Sequence, residues 1–240
     1  MTRTNGNTAG IAIVTRTLQI SAIALGVLAL GTSQSRAVPL SDLLAGGSIT
    51  CLDKTFSNFH AFNNVNAGGA VGPTAAQVDI SADPSTCGPG ASPLAVPGPG
   101  LLIQSAQWNV NANQSIDTAF SYDVTSSAGL SIHDADLILE SFVADGGADI
   151  HITESLFGTA GLITSLGVDT LTGPITDHHD FAPVTFLTVN KDISLDGHAA
   201  GSASLSTFRQ DFSQVPEPAS LAIVGFGLIG LGWLRRRRIG

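Results

Sequence analysis

The chain has 240 residues, with 10 lysines and arginines against 19 aspartates and glutamates, a formal net charge of −9. That length accommodates one sizeable domain or two small ones. The acidity argues against nucleic-acid binding, because such binding is driven by Lys and Arg on the phosphates.

The first 41 residues contain no Asp or Glu, only Arg3, Arg16 and Arg36. After Arg16 comes an apolar stretch from Ile20 to Gly31. A dozen residues fall short of the roughly 30 Å of bilayer hydrocarbon. The order of basic, apolar and then small residues fits a secretory signal. Ser35 and Ala37 suit the −3 and −1 positions of a signal peptidase site, so residues 1–37 are predicted to be removed after Ala37.

From Val38 to Ser213 only Lys54, Lys191 and Arg209 oppose eighteen acids, a net of about −15. The basic residues of the chain thus belong mostly to its two ends. An acidic exported domain keeps itself soluble, and its carboxylates make Ca²⁺ a candidate ligand. Cys51 and Cys87 are the only cysteines. In an oxidising compartment they are expected to pair. The bridge would close a loop of about 37 residues and contribute roughly 3 to 4 kcal/mol. Phe56, Phe59 and Phe62 supply apolar anchors for a first strand.

The segment from Asp83 to Gly100 holds five prolines and four glycines. It is expected to be an extended loop tethered at Cys87. Beyond it the apolar residues alternate, as a half-buried strand requires. Ala106, Trp108, Val110 and Ala112 alternate with polar neighbours, and Thr118, Phe120, Tyr122 and Val124 repeat the pattern across a loop at 113–117. Further strands are expected at 130–132, 137–143, 150–156, 184–189 and 199–208, with turns at 145–147, 171–174 and 196–197. The class is all-β, an antiparallel sandwich of jelly-roll-like kind.

No nucleophile elbow, phosphate loop or His-Glu-x-x-His motif is present. The chain is therefore read as a non-enzyme. Three groups offer metal donors: Asp177-His178-His179-Asp180, then His133 with Asp134 and Asp136, and Asp149 with His151. In an extended strand His178 and His179 would point to opposite faces, so they make a weak pair of ligands. Trp108 and Tyr122 could stack on sugar rings, but both sit on the apolar side of their strands, where core packing is the ordinary role.

At the C-terminus stand Val215-Pro216-Glu217-Pro218, a largely apolar run of sixteen residues from Ala219 to Leu234, and Arg235, Arg236, Arg237 and Arg238. The apolar run would span about 24 Å as a helix, with the arginines held on the cytoplasmic side. This order closely resembles the PEP-CTERM sorting signal of Gram-negative bacteria. The resemblance implies recognition by an exosortase and a membrane-anchored precursor passed on to the envelope or extracellular matrix. It also implies the company of exopolysaccharide. The stretch from Cys51 to Phe59, and the run from Lys191 through Gln210-Asp-Phe-Ser-Gln214, resemble the opening and closing segments of small proteins of this kind.

The expectation is a signal peptide at 1–37, a β-sandwich at 38–213 and a sorting signal at 214–240. The domain is read as a structural or interaction component associated with exopolysaccharide or biofilm. The alternative is a carbohydrate- or calcium-binding surface module, and a secreted hydrolase stands behind both.

Overall fold

The computed structural model describes residues 36–127 and 129–216. The predicted signal sequence, the apolar C-terminal helix, Glu217, Pro218 and the arginine cluster lie outside the described residues. Among the described residues no helix is long and apolar enough to cross a membrane.

The chain opens with β1 (Val38–Pro39), a short helix α1 (Leu40–Leu44), β2 (Ile49–Cys51) and the long β3 (Lys54–Ala67). After β4 (Asp79–Ala82) and a helical turn α2 (Pro84–Cys87) come β5 (Gly100–Gln104), β6 (Asn109–Val110) and β7 (Ser115–Ser126). The remaining strands are β8 (Leu130–Asp145), β9 (Asp149–Gly158), β10 (Gly161–Asp169), β11 (Thr176–Val184), β12 (Phe186–Asp196), β13 (Ser202–Asp211) and β14 (Gln214–Pro216). One sheet runs β1-β4-β5-β13-β8-β11, with β6 on β13 and β14 on β8, and the second runs β10-β9-β12-β7-β3-β2. Every pairing is antiparallel. This is the expected β-sandwich.

Its core follows from the two-residue period. Ile116, Thr118, Phe120, Tyr122 and Val124 of β7 all face inward and are buried. Beside them run Leu187, Val189, Ile193 and Leu195 of β12, and Ile150, Ile152 and Leu156 of β9. The opposite sheet answers with Leu101, Ile103, Leu137, Leu139, Leu205 and Phe208. Burying each such side chain contributes about 1.5 to 3 kcal/mol. Phe56 and Phe59 are three apart and yet both buried. Asn58 at φ 53° and Ala61 at φ 57° bulge β3 where its register on β7 shifts, which restores each phenylalanine to the inner face.

Four expectations are revised. The segment 104–113 is not one strand: it turns at 105–108, where Ser105 N–H donates to Ser206 O and Leu205 N–H donates to Trp108 O. The predicted strands 130–132 and 137–143 are one strand, β8. The predicted 184–189 strand straddles a break at Thr185 between β11 and β12. The ordered chain also runs on past Ser213 into β14. The proline-rich segment is irregular apart from α2, whose first turn is capped by Asp83 Oδ1 accepting from Ser85 N–H at 2.8 Å.

Cys51, at the end of β2 in one sheet, is bonded to Cys87, at the end of α2 after β4 of the other, with Cα atoms 5.3 Å apart. Replacing Cys87 with serine is expected to cost about 3 to 4 kcal/mol in a denaturation experiment. Equal melting of wild type with and without reductant would contradict this.

Candidate functional site

Strand β13 leaves the sheet for only two residues before β14 begins, and both are fastened. Phe212 is fully buried with its ring 6.1 Å from that of Phe56. Ser213 N–H donates to Asp134 Oδ1 at 2.8 Å, and His133 N–H donates to Ser213 O at 3.1 Å. The buried Gln214 accepts from Lys54 Nζ through Oε1 and donates through Nε2 to the carbonyl of Pro93. Val215 then pairs with Ser131 and Pro216 with Leu130. The first two residues of the predicted sorting motif are thus part of the sheet.

Two of the three histidine–aspartate groups meet on the paired strands β8 and β11. Register pairs His178 with Asp136 and Asp180 with Asp134, which puts all four on one face. His178 Nδ1 lies 2.8 Å from Asp136 Oδ1. His179 points the other way, with Nδ1 2.9 Å from Thr164 Oγ1, so the two adjacent histidines do separate as their spacing requires. The group that does converge is His133, Asp134 and Asp180, whose donor atoms all lie within 4.8 Å of one another. One imidazole and two carboxylates form a donor set for a divalent ion. Burial pulls the His178 imidazole down, but its hydrogen bond to Asp136 and the charges of Asp136, Asp134 and Asp180 outweigh this and raise it. Asp149 instead accepts from Thr170 Oγ1 at 3.2 Å.

Beside this face a single guanidinium serves three carboxylates. Arg209 lies 3.0 Å from Glu140, 3.7 Å from Asp83 and 2.8 Å from Asp211. Asp211 is fully enclosed and its Oδ1 has no hydrogen-bond partner. Burial pushes this carboxyl up to about 8; Arg209 pulls against that, while Asp83, Asp136 and Glu140 add to it.

The sequence reading passed over a buried polar group between the sheets. Lys191 of β12 contacts Glu154 of β9 and Gln210 of β13, and all three are enclosed. The signal was available. Lys191 interrupts the inward row Leu187, Val189, Ile193, Leu195, and Glu154 interrupts Ile150, Ile152, Leu156. Reading only the apolar members of each row hides the polar one.

Trp108 is fully buried and donates from Nε1 to Thr118 Oγ1 at 3.1 Å, while Tyr122 is buried between Phe59 and Phe120. Neither is presented to a sugar.

Comparison with known families finds the PEP-CTERM protein-sorting motif over residues 214–238. The chain bears a PEP-CTERM sorting signal. No curated protein matches the chain. Among solved structures, TmCBM61 in complex with β-1,4-galactotriose is 14% identical, covering 65% of this chain and 88% of that one at a TM-score of 0.26. The family 11 carbohydrate-binding module from Clostridium thermocellum, in complex with a mixed-linked tetrasaccharide, is 9% identical over 63% and 89% at 0.23. The enzymatically active domain of bacteriophage CBA120 tailspike protein 4 is 9% identical over 64% and 19% at 0.26. At such scores the likenesses carry no argument about ligands.

The enclosed Asp211 is expected to make stability depend on pH. Its folded value of about 8 exceeds the ordinary 3.8, so its contribution is complete at low pH and declines as pH rises towards 8. Asp211→Asn should flatten that decline, read as denaturation midpoint against pH. A variant profile as steep as wild type would contradict the assignment.

Proposed function

We propose that the protein is an envelope or extracellular-matrix component, delivered by exosortase-type sorting, whose acidic β-sandwich acts by structure and association rather than by catalysis. The observation that carries the reading is the sorting motif at residues 214–238. It implies an exported, membrane-held precursor, which agrees with the basic residues concentrated at the two ends. The interior position of Trp108 and Tyr122 supports a structural role over sugar stacking by these two residues. Contact with exopolysaccharide is part of the proposal, made through the polar outer faces of the sheets. A second reading, a divalent-cation-binding surface module, is favoured by the convergence of His133, Asp134 and Asp180.

The start of the motif is hydrogen-bonded into the sheet beside β8, so the membrane tail follows the folded domain closely in sequence. Replacing Pro216, Glu217 and Pro218 with alanines in the native host should leave export intact while the full-length, membrane-held form accumulates. Wild-type processing of that variant, read by intact mass across membrane, surface and medium fractions, would contradict the sorting role.

A further inference from the structure

A lysine ammonium is strongly hydrated, so placing one inside a sandwich costs free energy that neighbouring groups must offset. Lys191 stands in the inward row of β12 between Val189 and Ile193, and its side chain is fully enclosed. Glu154 faces it across the β12–β9 pair. Gln210 reaches it from β13 in the opposite sheet, with its carboxamide oxygen against Nζ. Glu154 lies against Lys191 and Gln210 alike.

As a plain ion pair this group is poorly satisfied. Glu154 Oε2 meets Lys191 Nζ, but Glu154 Oε1, Gln210 Nε2 and the Tyr122 hydroxyl are left without a hydrogen-bond partner. Each buried orphan of this kind costs free energy, and a buried charge pair carries a desolvation penalty besides. The arrangement is, however, that of a nucleophile, an acyl group and a proton carrier held together away from water.

We propose that Lys191 and Gln210 condense to an intramolecular amide, with Glu154 as the acid–base group, so that the mature domain has its two sheets joined covalently through its core. The Lys191 amine attacks Cδ of Gln210 and forms the new N–C bond. The Cδ–Nε2 bond breaks, and its electron pair leaves with the nitrogen as ammonia. Glu154, starting as its acid, gives its proton to the departing nitrogen and takes up the proton shed by Nζ, so the carboxyl ends as it began. No oxidant, reductant or cofactor takes part.

The surroundings favour the protonation states this step needs. Burial pulls the Lys191 amine down towards its free form and pushes the Glu154 carboxyl up towards its acid. The ring of Phe208, 5.4 Å from Nζ, helps close the pocket to water. The product removes a buried ammonium and leaves one N–H and one C=O in its place. Lys54 makes a contrast within the same chain. It also touches a glutamine, Gln214, but Asp53 Oδ2 at 2.5 Å pairs with its ammonium, and Gln214 Nε2 already donates to Pro93 O.

The inference concerns the folded core and does not depend on the sorting reading. The test is to unfold and reduce the full chain, weigh it, and map it by proteolysis and tandem mass spectrometry. The expected mass is one ammonia below that of the same linear chain, with a branched peptide joining Lys191 to Gln210. Glu154→Gln should restore the full mass and linear peptides. A linked Glu154→Gln variant would overturn the role of Glu154. The wild-type map decides the bond itself, whether or not that variant folds. Linear peptides with unmodified Lys191 and Gln210, or a branch found only between Lys54 and Gln214, would overturn the proposal.

Discussion

The strand run from Ser202 to Pro216 is the constraint on which the rest of this structure depends. The run has β13 inside the sheet, held between β5 and β8, and β14 continuing along β8. It supplies Leu205, Phe208 and Phe212 to the core. It also carries Gln210 to Lys191, Arg209 and Asp211 to the acidic cluster, and Gln214 to Lys54. Because the same run ends in the sorting motif, fold and address share residues. Pairing over long sequence separation depends on strands drawn from across the chain, and the final strand completes the domain that it connects to the tail.

The distribution of charge has a consequence that composition alone understates. Of the four basic residues among those described, Lys54 and Lys191 are enclosed and Arg209 is mostly covered, which leaves Arg36 exposed. The few positive charges thus lie mostly against carboxylates of the interior, and the charges left on the outer faces are almost wholly acidic. Such a surface stays soluble and repels polyanions. Where carboxylates crowd, as around Asp211 and at His133, Asp134 and Asp180, it holds protons or offers donors to cations.

Much of the fold was legible in the sequence because β7, β9 and β12 bury one full face, and a buried face leaves an apolar residue at every second position. The loop tethered at Cys87 was legible from its prolines and glycines. Strands β10 and β11 were not, because β11 is an edge strand with no buried residue and its Thr-Asp-His-His-Asp run carries no apolar alternation. The break at 105–108 was hidden because Ile103 and Val110 turn inward on either side of it and Trp108 within it is buried as well. Of the candidate sites, the opposed faces of His178 and His179 followed from the strand period alone. The meeting of His133 and Asp134 with Asp180 required the β8–β11 register. The Lys191 group required the facing of two sheets, which no local pattern encodes.

The central claim is that the domain runs without a break from its core into the sorting motif. Hydrogen–deuterium exchange on the full chain measures this directly, in peptides covering residues 205–215. Slow exchange through Val215, at rates like those of β7 and β12, is the predicted result. Protection that ends at Asp211, with 212–215 exchanging like the loop at 88–99, would contradict it.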